Sequence, residues 1–229
     1  MKEYQIRELL DTIKQTCKRA GGICQDCPIK NIIDECYFKR QPQNWDSEYM
    51  AKRIADHMTK PEKIIVLDTE TTGIGPDDEI LQLSIIDENE KILYNGYFRP
   101  RFKTSWPGAE AVNHISPEMV SDKPTIFTKQ SEIQKILDSA DTIVGYNTEF
   151  DLSMLRRSGI YPKATTETVD VMKRFANYHG DYDPKRRRNR YKSLKVCAET
   201  LGYENDNLHD SLEDCKATLF AYKKLNELY

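Results

Sequence analysis

An α/β fold with a small cysteine-containing module ahead of it is what this 229-residue sequence predicts, on three observations. Ile64–Leu67 and Thr142–Gly145 are short, continuous apolar runs, the pattern of strands covered on both faces. Ile80–Ile86 and Ile92–Phe98 flank the turn-forming Asp87–Lys91 and read as a hairpin, while helical periodicity fills the later intervals. Composition changes near Pro61: residues 1–60 hold four of the six cysteines, and the alternation of strand and helix signals begins only after it. The chain is therefore divided into a cysteine module with a connecting helix over 1–60 and an α/β domain over 61–229.

In chain order, a first helix is expected from Glu3 to about Lys18, a turn at Pro42–Trp45, and a second amphipathic stretch over Ser47–Thr59 leading into Lys60-Pro61. After the strand at Ile64–Leu67, Gly73-Ile-Gly-Pro76 makes a turn. Ser131–Leu137 is helical in pattern, and Glu149–Arg157 follows the Thr142–Gly145 strand as a helix. Ser193 caps a helix carrying Leu194, Cys197 and Leu201 that stops at Gly202. The last helix runs from about Ser211 to Leu228, with Leu219, Tyr222 and Leu225 toward the core. Cys197 and Cys215 fall on helices and read as core residues.

The formal net charge of −3 excludes a simple polycationic nucleic-acid binder. No apolar run approaches the roughly 18 residues that span a bilayer, and Met1–Ile6 lacks a signal-peptide segment. A soluble, cytoplasmic protein without a membrane partner is expected, its cysteines thiols or metal ligands rather than disulfides.

Chemistry concentrates in three patches. Asp68 and Glu70 stand two apart after a buried run, so both carboxylates can project from one face of the strand. Asp151 falls in the first turn of a helix just past the next buried strand, where the helix dipole favours a carboxylate. Asp210 with Glu213 resembles a capping pair, which starts the last helix at Ser211, leaves His209 ahead of it and places Asp214 within its first turns. Breaking the chain at the cap lets His209 and Asp214 face one site. Hard divalent cations want oxygen ligands and one imidazole can take a proton from water near neutral pH, so four carboxylates and a histidine suit two-metal phosphodiester hydrolysis.

These patches resemble the three exonuclease motifs of the DEDD superfamily, in the DEDDh branch that includes the proofreading epsilon subunit of bacterial DNA polymerase III. The resemblance covers about Pro61 to Tyr229, and Val112–Val120 and Leu194–Gly202 join it. It implies a ribonuclease H-like fold, a mixed five-stranded sheet flanked by helices, and 3′→5′ release of mononucleotides with two Mg²⁺ or Mn²⁺. Carried over, Asp68, Glu70 and Asp214 hold one ion, Asp68 bridges to the second, Asp151 assists partly through water, and His209 is the general base. Thr71, Thr72, Asn113, His114 and Phe150 match nucleotide contacts, with Phe150 alternatively packing inward. Two positions depart from the family pattern: Tyr146 replaces a usual histidine between Gly145 and Asn147, and His114 replaces a small residue before Ile115. The expected partner is nucleic acid with single-stranded 3′ ends, DNA favoured; an exoribonuclease of the same branch and a catalytically lapsed binding adaptor are the alternatives.

Two features lie outside those motifs. Cys17-x6-Cys24-x2-Cys27-x8-Cys36 offers four thiolates to a tetrahedral Zn²⁺ in a segment with little area for a core of its own. Free or disulfide-forming thiols and an iron–sulfur cluster are the other readings. The module is also where a polymerase or another replication or repair protein would dock. Lys185–Lys192 has six basic residues in eight, with Arg186, Arg187, Arg188 and Arg190 the expected phosphate contacts.

Overall fold

The computed structural model describes residues 62–203 and 210–228, together with Tyr4, Arg7, Glu8, Leu10–Thr12, Gln15 and Glu48. The chain divides into two units, Met1–Pro61 and Glu62–Tyr229. In the first, Tyr4–Gln15 and Glu48 are helical wherever described, inside the two stretches expected to be helices. Cys17, Cys24, Cys27, Cys36 and His209 lie outside the described residues.

The second unit is built on a mixed sheet of five strands. They are β1 (Ile64–Thr71), β2 (Ile80–Asp87), β3 (Ile92–Tyr97), β4 (Thr142–Gly145) and β5 (Glu167–Asp170), in the order β3-β2-β1-β4-β5. β1, β2 and β3 pair antiparallel, whereas β4 and β5 extend the sheet in parallel on the other side of β1. Between and after them come α1 (Pro107–Asn113), α2 (Pro117–Val120), α3 (Gln130–Ser139), α4 (Thr148–Arg157), α5 (Val171–His179), α6 (Leu194–Leu201) and α7 (Ser211–Glu227). A two-stranded hairpin, β6 (Tyr182–Asp183) with β7 (Arg188–Asn189), stands apart from the main sheet.

Alternation along β1 sorts its side chains between two cores. Ile65 and Leu67 join Ile133 and Leu137 of α3 and Leu152 and Leu155 of α4 on one face. Val66 joins Phe175 of α5, Cys197 of α6 and Cys215, Leu219 and Leu225 of α7 on the other. Both faces being covered, all three of Ile65, Val66 and Leu67 are fully buried. A third cluster, Leu81 with Trp106, Ile115 and Val120, seats the α1–α2 segment, where the Trp106 indole N–H donates to the Ile115 carbonyl at 2.7 Å.

The mixed five-stranded sheet and its helices are as expected, with some bounds shifted. β1 continues four residues past the apolar run, through both acidic positions. Ser193 accepts from the Val196 amide to cap α6, Gly202 ends it in the left-handed conformation, and Asp210 caps α7. Cys197 and Cys215 are core residues. β5, α1, α2, α5 and the hairpin are additional to the expected elements: β5 buries only Val169 and α1 starts at a proline with no side-chain cap, whereas α2 and α5 carry side-chain caps from Ser116 and Asp170. Among the described residues no helix is long and apolar enough to cross a membrane.

Candidate active site

The alternation that buries Val66 against α7 turns Asp68 and Glu70 toward the same helix, two and four positions on. Asp214, in the first turn of α7, comes to meet them: carboxylate oxygens of Asp68, Glu70 and Asp214 all lie within 4.8 Å of one another. That spacing suits oxygen donors around one hard cation at about 2.0–2.6 Å each, so the trio fits a divalent metal.

Thr69, between the two acids, points to the opposite face and meets Asp151. The parallel ladder of β1 with β4 ends at Val66–Val144, leaving the Thr69 amide without a strand beside it. It donates instead to Asp151 Oδ1 at 3.0 Å, and the Thr69 hydroxyl donates to the same oxygen at 2.7 Å. Asp151 is almost completely buried. The fourth carboxylate thus reaches the site from α4, across the strand from Asp214.

α7 is fixed at its start by the expected Asp210 cap and by contacts from β2 that the sequence does not signal. Asp210 Oδ1 accepts from the amides of Leu212 and Glu213, and its Oδ2 accepts from Gln82 Nε2 at 3.0 Å. Gln82 Oε1 in turn accepts from the Ser211 amide, and the hydroxyls of Ser84 and Ser211 are 2.7 Å apart. Both Gln82 and Ser84 lie on β2, so the register of β2 on β1 sets where Asp214 stands relative to Asp68 and Glu70. On the other flank, Asn113 donates to the Thr71 carbonyl at 3.1 Å and hydrogen-bonds Glu70.

Crowding and burial shape the electrostatics. Burial first, then the charges of Asp151, Asp214 and Glu70, holds the Asp68 carboxyl well above the usual range. Burial and Asp214 raise Glu70 from 4.5 to about 8, with the Asn113 hydrogen bond pulling the other way. Asp151 rises from 3.8 to about 7, burial outweighing the two hydrogen bonds from Thr69. Among the described residues no lysine or arginine forms an ion pair with Asp68, Glu70 or Asp151. A divalent cation is what would relieve this cluster.

Residues 65–222 match the RNase T family model, whose description is exonuclease. The chain belongs to the RNase T exonuclease family. It is 28% identical to RNA exonuclease 4 of Aspergillus fumigatus over 174 residues, which is 73% of this chain and 52% of that protein. It is 30% identical to the DNA polymerase III subunit epsilon of Rickettsia typhi over 121 residues, 47% of this chain and 52% of that one. The chain spans about half the length of these curated relatives. Among solved structures, the zinc-bound form of an Escherichia coli exonuclease I–single-stranded DNA complex superposes with a TM-score of 0.59 over 73% of this chain and 40% of that one. At 20% identity that likeness is one of fold.

Within this RNase T exonuclease domain the other predicted site residues are placed unevenly. Thr71 and Thr72 are buried, the first donating to the Gly73 carbonyl and the second to Asp78 Oδ1, both at 2.7 Å, so their hydroxyl protons are committed inside the protein. Gly73 is required there: a Cβ on it would sit 2.6 Å from Asp78 Oδ2. Asn113 is buried and its side chain is spent on Thr71, Glu70 and the Ile115 amide. His114 ends α1 in the left-handed conformation with its side chain exposed. Phe150 is half-buried and packs inward against the α3–α4 core. Tyr146 points to α6, its hydroxyl donating to the carbonyls of Lys192 and Ser193. Asn147 ties β4 to β5 through its backbone, its amide donating to Asp170 Oδ1. In the basic segment Arg190 pairs with Asp181 and Asp183, Lys192 pairs with Asp181, and Arg188 lies over the Tyr191 ring; Arg186 and Arg187 are exposed at the hairpin turn.

Proposed function

We propose that this protein is a metal-dependent 3′→5′ exonuclease that releases mononucleotides from single-stranded 3′ ends, DNA first. The convergence of Asp68, Glu70 and Asp214 from β1 and α7, in a domain of the RNase T family, carries the reading. Asp68, Glu70 and Asp214 would hold one Mg²⁺ or Mn²⁺, with Asp68 and Asp151 serving a second. Bound there, such ions polarise the phosphodiester and lower the pKa of attacking water. The protein's own part is positional. The β1 backbone fixes Asp68 and Glu70, Thr69 orients Asp151, and the Gln82–Asp210–Ser211 contacts fix Asp214. His209 directly precedes the cap and would take the proton from water. His114 and Phe150 keep solvent-accessible surface and are the predicted nucleotide contacts best able to touch a terminal nucleotide. Arg186, Arg187 and Arg188 would grip phosphates further along the strand.

An RNA substrate is the second reading, favoured by the broader match to RNA exonuclease 4, 73% of this chain against 47% for the epsilon subunit. The test is hydrolysis of 3′- and 5′-labelled DNA and RNA, single- and double-stranded, with Mg²⁺, Mn²⁺ or EDTA. Mononucleotides released from the 3′ end in a metal-dependent way are expected. Strand binding without hydrolysis in every metal would leave the lapsed adaptor. For residues 1–60 the proposal is a docking module stapled by one Zn²⁺ on Cys17, Cys24, Cys27 and Cys36. Elemental analysis should find about one zinc per chain; four titratable thiols without zinc would overturn it.

A further inference from the structure

We propose a second nucleic-acid site, outside the carboxylate cluster: the pocket at Arg99, Arg101, Phe102, Phe127 and Arg157 takes a stacked nucleotide step of a single-stranded polynucleotide. The proposal rests on the nuclease reading for its biological sense, though not for its physical argument. The pocket holds about 390 Å³, and one wall is the turn from Thr72 to Glu79 that directly follows the carboxylate strand.

Two of its three acidic residues, Glu79 and Asp78, are engaged in building it, and the third, Asp77, is exposed on the turn. The Glu79 carboxylate accepts from three successive amides, Arg101, Phe102 and Lys103, at 2.7, 2.9 and 3.0 Å, which curls the chain after β3 around it. Asp78 accepts from the Thr72 hydroxyl and the Gly75 amide and pairs with Lys103. The arginines are not neutralised in the same way. None of Arg99, Arg101 and Arg157 forms an ion pair among the described residues. Arg157 Nη1 donates to the carbonyls of Gly75 and Pro76, and Arg99 Nη1 reaches only the Ser121 carbonyl at 3.4 Å.

Arg101 is the centre of the arrangement. Its guanidinium carbon lies 5.1 Å from the Phe102 ring centroid and 4.9 Å from that of Phe127. Two aromatic rings hold the guanidinium in place without cancelling its charge. Yet Phe102 is 77% exposed and Phe127 40%, so the rings also offer open faces beside fixed positive charge. Flat π-faces with arginines alongside match a nucleobase and its phosphates, and only an unpaired strand presents its base faces. A polynucleotide is favoured over an acidic peptide because three arginines spread around one pocket suit evenly repeated phosphates.

The test uses the full chain in EDTA, so that nothing is hydrolysed, with fluorescent single strands and Arg101→Gln and Phe102→Ala as separate variants. Phe102 is so exposed that its truncation leaves folding undisturbed. Each variant should weaken binding of a long strand roughly tenfold, the scale of one lost base–aromatic stack, and Arg101→Gln should also flatten the salt dependence. Hydrolysis of a dinucleotide with Mn²⁺, which carries a single phosphodiester, should be unchanged. Wild-type affinity and salt slope in both variants, or a wild type that binds no single strand, would overturn the proposal. So would displacement of the strand from this pocket by an acidic, aromatic peptide that binds more tightly. Binding that depends on the pocket, in a protein that hydrolyses nothing, would keep this site and remove the nuclease reading. Hydrolysis with binding indifferent to both variants would do the reverse.

Discussion

The carboxylate end of β1 and the arginine pocket are joined by a single turn, Thr72–Glu79, and concentrate charge of opposite sign. At one end Asp68, Glu70 and Asp151 crowd together with, among the described residues, no lysine or arginine paired to them; at the other Arg99, Arg101 and Arg157 sit, among the same residues, without a paired carboxylate. Elsewhere the fold cancels charge locally, as in the hairpin where Arg190 and Lys192 meet Asp181 and Asp183. Charge left unmatched within a folded domain marks where a ligand completes it: a cation at the first region, a polyanion at the second.

The comparison breaks most decisively at Asp68. Asp68→Asn should reduce hydrolysis on the order of 10⁴-fold or more, as for essential members of a catalytic unit. It should also raise the melting temperature of metal-free protein, since a carboxyl that folding must hold protonated is gone. Full turnover by this variant would remove the carboxylate half of the argument. His209→Ala should cost roughly 10²–10⁴-fold in turnover, with strand affinity nearly kept, as expected of a lost general base. A loss confined to affinity would make His209 a substrate contact.

Next in size is a pH effect on the metal-free protein. Glu70 titrates at about 8 rather than 4.5, and Asp151 at about 7 rather than 3.8. The folded state therefore holds more protons than the unfolded state between those values, and stability falls as pH rises from about 4 to about 8. Melting temperatures should drop across that window by several degrees and recover on adding Mg²⁺ or Mn²⁺, which bind the deprotonated carboxylates. A flat profile would mean the acids are not crowded in solution. Thr69→Val keeps the backbone hydrogen bond to Asp151 but loses the hydroxyl, and should lower metal affinity or turnover about tenfold, with Thr69→Ser restoring it. The smallest effect belongs to the hairpin. Replacing Arg186, Arg187 and Arg188 by glutamine should reduce the salt slope of single-strand binding by up to about two, at ~0.7 per phosphate contact. No change would leave the arginine pocket as the stronger electrostatic contact.

The acids were legible in sequence because each depends on a local signal: an apolar run before Asp68, a strand-to-helix junction before Asp151, a cap before Asp214. What holds them was not. Gln82 and Ser211 are 129 positions apart, and Thr69 reads as a spacer between two acids until β4 stops short beside it. The arginines show how folding redistributes charge. The dense run at 185–192 is partly paired with nearby aspartates, whereas Arg99, Arg101 and Arg157, unremarkable in sequence, are gathered by Glu79 and α4 into one pocket. Density along a chain reports charge before folding, and partners decide how much is left afterwards. Thr71, Thr72 and Asn113 teach the same point for hydrogen bonds, since groups that stand open in the sequence donate within the fold to hold the turn and Glu70.

The trio of carboxylates also sets a schedule. Asp68 and Glu70 sit on the first strand of the domain and Asp214 on its last helix, held against β2 by the Ser84–Ser211 and Gln82–Asp210 contacts. During synthesis the β1–β3 meander can form while α7 has yet to be made, and at that stage the third carboxylate is missing. The metal-fitting trio is therefore incomplete until α7 is made, and a nascent chain that has reached only β3 carries two of its three carboxylates.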